Sequence, residues 1–305
     1  MTISLDGRVA IVTGAGTGLG RAHAQALAAY GARVVVNDLD AVQAQTVADQ
    51  IVAAGGEAIG YAASVTDMEA VTTMVARTIV LWGAVDILVN NAGILRDKSF
   101  AKMDLADFRL VLDVHLMGSV NCTKAVWDHM RARHYGRILF TTSSSGLYGN
   151  FGQANYGAAK MALVGLMQTL AIEGARNNIR VNCLAPSAST QMTEGLYPGD
   201  ALASLGPDLV SPAVVALTAE HAPTRRILLA GGGSFEQANI TMTRGLYLGA
   251  SQDITGDLCA QLDAIANREG ESVPTSGNEQ YQYEASRAAM PKLSATQRSY
   301  PSVIP

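Results

Sequence analysis

The sequence predicts an α/β fold: a doubly wound, seven-stranded parallel sheet with helices on both faces, followed by a C-terminal extension. Three observations predict it. Short β-branched runs alternate with longer segments of helical period as far as Gly249. Several runs, such as "VDILV", are apolar on both sides of the strand, as strands covered on both faces require. The first run also ends in a glycine-rich turn that opens a helical segment, the punctuation of a Rossmann-type unit.

The expected strands are residues 8–13 (RVAIVT), 32–37 (ARVVVN), 57–62, 85–90 (VDILVN), 137–142 (RILFTT), 179–184 (IRVNCL) and 225–230 (RRILLA). Helices such as 19–30 and 42–54 fit between them. Ser211-Pro212 reads as an N-cap and a first-turn proline, opening a helix to about His221. Past Gly249 the alternation stops. Leu258, Leu262 and Ile265 give 257–266 one apolar face, so one further helix is expected there. From about Asn267 the chain is polar and broken by Ser, Gly and Pro, which suits a disordered tail or an arm that orders against a partner. The expected division is a Rossmann-type domain over 1–249 and an extension over 250–305.

Composition narrows the function classes. With 49% hydrophobic and 16% charged residues, the 305-residue chain can bury a large core. A net charge of −4 gives no basic footprint for nucleic acid. Cys122, Cys183 and Cys259 are too few and too scattered for a disulfide framework or a zinc site, so no metal is expected. No apolar run approaches a membrane span, and neither a signal peptide nor a C-terminal address is apparent, so a cytoplasmic protein is expected.

The turn "TGAGTGLG" (13–20) can let backbone amides approach a pyrophosphate at a helix N-terminus. It does not fit G-x-G-x-x-G; it fits T-G-x-x-x-G-x-G, which makes Gly14, Thr17, Gly18, Leu19 and Gly20 candidate dinucleotide contacts. Asp38 stands at the end of the second strand, eighteen residues after Gly20. A carboxylate there accepts from ribose hydroxyls and repels a 2′-phosphate, and neither Thr17 nor Leu39 supplies a compensating cation. NAD is therefore favoured over NADP.

"QANYGAAK" places Tyr156 and Lys160 one turn apart on the same helical face. A Tyr-x-x-x-Lys arises by chance about 0.16 times in such a composition, so the pair alone says little. Its setting says more. It follows a strand that exits through serines and a Gly/Asn-rich turn, and "NNAG" (90–93) ends the fourth strand at the same edge, where open α/β sheets hold their ligands. Gly157, Ala158 and Ala159 read as residues kept small to leave room for a flat cofactor ring.

With "TGAGTGLG", "NNAG", Ser143 thirteen residues before Tyr156, and "YGAAK" in order, the chain resembles the short-chain dehydrogenase/reductase family. That resemblance implies Tyr156 as general acid/base, Lys160 as the group that lowers its pKa and holds the nicotinamide ribose, and Ser143 as a hydrogen-bond partner of the reacting oxygen. It implies cofactor contacts at Asn91, Ala92 and Gly93, and at Val65 through its backbone, because Ser64 stands where the family usually has an aspartate. His115 replaces the asparagine that many members use to hold a proton-relay water. Ser189, Thr190 and Thr193 are alternatives for the cofactor amide.

Longer stretches, among them "HLMGSVNCTKAVWDHM" and "LAIEGARNNIRVNCLAP", resemble the (3R)-hydroxyacyl-CoA dehydrogenase unit of type 2 peroxisomal multifunctional enzymes, also called 17β-hydroxysteroid dehydrogenase type 4. The unit is expected alone, without hydratase or sterol-carrier parts, and as a homodimer or higher homo-oligomer. The implied substrate is a (3R)-hydroxyacyl-CoA, with Arg96, Lys98 and Lys102 placed to meet CoA phosphates. A hydroxysteroid or other bulky alcohol, in a pocket near Leu95, Tyr148 and Phe151, is the alternative. A non-catalytic NAD sensor would not need the intact Ser143–Tyr156–Lys160 set.

Overall fold

The computed structural model describes residues 3–190, 204–249 and 251–289. Its strands are β1 (Val9–Thr13), β2 (Arg33–Asp38), β3 (Glu57–Ala62), β4 (Ile87–Asn90), β5 (Gly136–Thr141), β6 (Ile179–Ser187), β7 (Ile227–Gly231) and β8 (Ser234–Ala238). They form one sheet in the order β3-β2-β1-β4-β5-β6-β7-β8. The first seven run parallel, as expected. β8 corrects the expected count to eight: it folds back antiparallel on β7, with Gly231 opposite Ser234. Gly232 and Gly233 form the two-residue turn with φ of +57° and +81°, a conformation that only glycine adopts without strain.

Along the first unit lie α1 (Gly18–Ala29), α2 (Ala41–Ala53), α3 (Met68–Trp82), α4 (Leu105–Leu112), α5 (Gly118–Arg133), α6 (Ser144–Tyr148), α7 (Ala154–Gly174) and α8 (Ser211–Thr218). A π-turn, Asp113–Met117, joins α4 to α5. Asp40, Asp67 and Asp104 cap α2, α3 and α4 by accepting from backbone N–H groups of the first turn.

The apolar strands feed two cores, one on each face. Val34 and Val36 pack in one core with Leu27 of α1 and Val47 of α2. Val35, between them, belongs to the other, with Met74 of α3, Val126 of α5 and Leu163 of α7. Period-two alternation inside an unbroken apolar run is what a doubly covered sheet needs. No described helix is long and apolar enough to cross a membrane.

The first compact unit ends at Ala238 and the second begins at Asn239, earlier than the expected boundary at Gly249. In the second unit the expected single helix over 257–266 is two: α9 (Ile254–Ala260) and α10 (Leu262–Ile265) are separated by Gln261, whose φ of −115° and ψ of 12° break the ladder. Part of the expected polar tail is helical as well, α11 (Gly277–Ala288), and Tyr283 Oη donates to the Arg244 carbonyl at 2.8 Å. No described residue of this unit is buried.

Ser211 is not the N-cap of α8 but its first residue; Val210 holds the cap position. The Ser211 hydroxyl donates to the Pro207 carbonyl at 3.2 Å, so it accepts from His23 Nδ1, 2.9 Å away, on the fully buried face of α1. Burial lowers the His23 pKa to about 3, so the folded protein keeps it neutral while the unfolded chain protonates it below about pH 6.5. The unfolded state then binds more protons, and this residue's contribution makes stability fall as pH drops from 6.5 towards 3, by about 1.4 kcal/mol per pH unit. His23→Asn keeps an N–H facing Ser211 but cannot titrate. Denaturant unfolding measured from pH 6 to about pH 4.5 should therefore show a shallower loss of stability in the variant, by about 1.4 kcal/mol per pH unit.

Candidate active site

The candidate residues gather at the carboxyl edge of the sheet, where β1 and β4 are neighbours although their following helices diverge. Such a switch point opens a crevice. Thr13 and Asn91 tie its two sides. Thr13 Oγ1 accepts from the backbone N–H groups of Asn91 (3.0 Å) and Ala92 (3.1 Å). Asn91 Nδ2 donates to the carbonyls of Thr13 (3.0 Å) and Gly14 (3.1 Å). The Asn91 amide nitrogen thus holds the glycine turn.

The turn is shaped for a close approach. A Cβ on Gly20 would lie 2.1 Å from the Gly14 carbonyl oxygen. Unlike α2, α3 and α4, helix α1 receives no side-chain hydrogen bond from its N-cap residue, Thr17. The N-terminal N–H groups of α1 and its dipole are thereby left to an anionic group. Asp38, at the end of β2, accepts from Gly16 N–H through Oδ2 at 2.8 Å and from Asp40 N–H through Oδ1 at 3.2 Å. Its carboxylate is oriented beside the turn and keeps acceptor capacity for a ribose. The uncapped helix, the glycine cradle and the carboxylate fit a dinucleotide without a 2′-phosphate. Val65 is buried, and its carbonyl accepts from Asn121 Nδ2 at 3.0 Å, so its N–H is the backbone donor left to serve a cofactor.

At the chemical end, Tyr156 and Lys160 share one face of α7, with Lys160 Nζ 5.4 Å from the Tyr156 ring centroid. Lys160 is buried and donates to the Thr141 carbonyl at 2.6 Å. Burial lowers its pKa to about 7, only partly opposed by Cys183, whose own thiol burial pushes up. Ser143 follows β5, is buried, and caps α6 by accepting from Ser145 N–H at 3.2 Å. Packing is a further reason for the small residues between Tyr156 and Lys160. A Cβ on Gly157 would meet the Ser145 carbonyl at 3.0 Å, one on Gly146 would meet Lys160 Cβ at 2.9 Å, and Ala159 is fully buried. Close packing of α6 on α7 favours small residues there; Ala158 alone is exposed.

His115 lies in the π-turn with its ring edge-on to Tyr156, centroids 5.2 Å apart and planes at 87°. Its Nε2 faces both the Ile94 N–H, which donates to it at 3.0 Å, and the Ile94 carbonyl at 2.8 Å, and its buried Nδ1 has no hydrogen-bond partner among the described residues. Burial first, then the Lys160 charge, lowers its pKa to about 3, so the imidazole is neutral. The ring also explains Gly93: any Cβ there would sit 2.3 Å from His115 Cε1. Thr190 lies over the glycine turn, 3.4 Å from where a Gly18 Cβ would stand, and Ser189 N–H donates to the Leu205 carbonyl at 2.7 Å. Thr193 lies outside the described residues.

The short chain dehydrogenase family profile matches residues 8–200. The chain belongs to the short-chain dehydrogenase family. Its sequence is 41% identical over 307 residues to the peroxisomal multifunctional enzyme type 2 of Drosophila melanogaster, covering 88% of this chain and 51% of that protein. The chain thus spans about half the length of this relative. The solved full-length structure of that enzyme superposes with a TM-score of 0.80 at 38% identity, over 94% of this chain and 50% of the other. A short chain dehydrogenase from Mycobacterium avium matches with a TM-score of 0.73 and 37% identity, over 90% of this chain and 99% of the other. A 7α-hydroxysteroid dehydrogenase complexed with NADH and 7-oxo glycochenodeoxycholic acid matches at 0.71 and 32%, over 76% and 96%.

Within this short-chain dehydrogenase site, sequence reasoning missed the roles of Gln153 and Asn155, both buried beside Tyr156. Their signal was the amides flanking Ala154 at the start of the helix that carries Tyr156.

A buried ammonium is costly to keep. Lys160→Met should raise the melting temperature by a few degrees, equivalent to about 1–3 kcal/mol. The folded form holds fewer protons than the unfolded chain between about pH 7 and the ordinary lysine value of 10.5, so the gain should be fullest below pH 7 and shrink as pH rises. Thermal unfolding at pH 6.5 and about pH 9.5 checks both parts.

Proposed function

We propose that the chain is an NAD-dependent dehydrogenase that interconverts a (3R)-hydroxyacyl-CoA and the corresponding 3-oxoacyl-CoA. The observation that carries this reading is the Tyr156 phenol one helical turn from the buried Lys160 ammonium, at the same sheet edge as the glycine turn. When bound, NAD supplies the hydride acceptor, or NADH the hydride, at its nicotinamide ring. Gly14, Thr17, Gly18, Leu19 and Gly20 receive the pyrophosphate, Asp38 the adenosine ribose, and Val65, Asn91, Ala92 and Gly93 the dinucleotide between them. Tyr156 and Lys160 also face the nicotinamide ribose.

Tyr156 removes the hydroxyl proton during oxidation and returns it during reduction. A free phenol titrates near pH 10, so work at neutrality needs a fall of roughly 3 units, or about 4 kcal/mol. Lys160 can supply much of it because its ammonium is desolvated: an anion on the neighbouring oxygen is the partner its burial withholds. The two titrate as a pair, the tyrosinate raising the lysine as the lysine lowers the phenol. Ser143 donates to the reacting oxygen. His115 stays neutral, so it holds a relay water at Nδ1 rather than carrying a proton itself; its own carbonyl accepts from Ser119 Oγ at 2.6 Å.

Arg96 and Lys98 share one carboxylate, Asp107, at 3.8 and 3.3 Å. With Lys102 they are the cations that would meet the CoA phosphates. The working form is a homodimer in the cytoplasm; the fly relative's name places that protein in peroxisomes. The second unit, with no buried residue among those described, supplies the extension through which the copies associate.

The deciding experiment is steady-state NADH formation with (3R)- and (3S)-hydroxyacyl-CoAs beside 17β-hydroxysteroids. Preference for the (3R) thioesters is expected, preference for steroid transfers the reading to a bulky-alcohol dehydrogenase, and no turnover rejects it. Tyr156→Phe should lower kcat by at least about a thousandfold, while the NAD dissociation constant, from fluorescence titration, changes less than about threefold. Ending the chain after Ala266 removes α11 and its bonds to the Arg244 carbonyl. It should shift the dimer towards monomer in sedimentation or lower turnover, and wild-type size and rate together would refute the arm.

A further inference from the structure

Ser143 and Tyr156 must face one reacting oxygen, yet they stand on different helices separated by an exposed turn. A network of side-chain amides bridges that turn. Gln153, at the N-cap position of α7, makes no side-chain capping bond. Its Nε2 instead donates to Asp97 Oδ2 at 2.6 Å, and its Oε1 accepts from the Ser145 hydroxyl at 2.7 Å. Asn150 Nδ2 reaches the same pair, 3.3 Å from Ser145 Oγ and 3.4 Å from Gln153 Oε1. Ser145 N–H is the group that holds Ser143 Oγ.

The loop leaving β4 is fastened at the same place. Lys98 N–H donates to the Gly152 carbonyl at 2.9 Å. Asn155, fully buried, donates to the Arg96 carbonyl at 3.0 Å, and its Oδ1 accepts from Tyr156 N–H at 2.8 Å. Three segments that reach the site separately therefore meet at one primary amide. A helix terminus that forgoes its cap gives up about 1 kcal/mol of local stability, and the side chain that could have supplied it is turned to Asp97 and Ser145 instead.

We propose that Gln153 is a positioning residue for dehydrogenation, its amide clamped between Asp97 and Ser145 so that Ser143 and Tyr156 keep one fixed separation. This rests on the dehydrogenase reading above. Donor and acceptor are used on opposite sides of the amide, so a carboxylate cannot replace it: Gln153→Glu keeps the acceptor towards Ser145 but sets an anion against Asp97. Adding Asp97→Asn supplies a donor facing that carboxylate and rebuilds the pair with its polarity reversed.

The test measures kcat, the KM for NAD and the NAD dissociation constant in wild type, Gln153→Glu, Asp97→Asn and the double variant. Expected is a fall in kcat of about tenfold or more for Gln153→Glu with NAD affinity within about twofold, and recovery to within about threefold of wild type in the double variant. A purely structural loss would weaken NAD binding as well, whereas loss of the clamp falls on kcat alone. Wild-type kcat in Gln153→Glu, or a fall that Asp97→Asn leaves uncorrected in a folded protein, overturns the proposal. Should Gln153→Glu fail to fold, Asp97→Ala, on the exposed loop, replaces it: a kcat-selective loss supports the clamp and an unchanged kcat overturns it. An active wild type with indifferent variants rejects the clamp alone; a wild type without turnover rejects the dehydrogenase reading, and the clamp with it.

Discussion

The hydrogen bonds that fasten Thr13 to Asn91 and Ala92 are the constraint from which the site follows. They join the exits of β1 and β4 where the chain reverses its direction of travel across the sheet. Without that tie, the glycine turn and the strand end that introduces His115 and the 94–98 loop would be independent. With it, the anion-receiving end and the proton-transfer end share one rigid edge. The arrangement is preorganised in the sense that matters for catalysis: dipoles and donors are in place before any charge develops.

The chemical end rests on tolerances of a few tenths of an ångström. Gly93 lies under the His115 ring, Gly146 under Lys160, and Gly157 under the Ser145 carbonyl. Methyl groups at Gly93 and Gly146 would clash and one at Gly157 would press on its neighbour, so these contacts help to set α6, α7 and the π-turn around Tyr156. Burial then makes the electrostatics: the same desolvation that keeps His115 neutral makes the Lys160 charge costly until an anion is formed beside it.

Most of this was legible in the sequence because the signals are local. Apolar runs gave the seven parallel strands with their ends within three residues, and fixed spacings marked Gly14–Gly20, Asp38, Ser143, Tyr156 and Lys160. What stayed hidden depended on tertiary partners. β8 has no β-branched residue, and only the Gly232-Gly233 pair announced it. Ser211 looks like a cap until His23 is seen to occupy its hydroxyl. Helix α11 is polar all round, and its one local mark is the spacing of Ser276 and Glu279, with Glu279 accepting from Thr275 N–H instead. Asn91 and Gln153 were the hardest to read, because an amide's role is set by what faces each of its ends.

The returning strand β8 has a consequence for how the protein behaves in crowded solution. It takes the outer position of the sheet and satisfies the backbone of β7, whose residues are Ile-Leu-Leu-Ala-Gly. The rim that faces outward instead is Ser-Phe-Glu-Gln-Ala, shorter on apolar side chains and bearing the charge of Glu236. An uncovered β7 would offer a sticky, unpaired ladder to any neighbouring chain. The Gly-Gly hairpin therefore acts as a safeguard against runaway polymerisation as much as a piece of architecture.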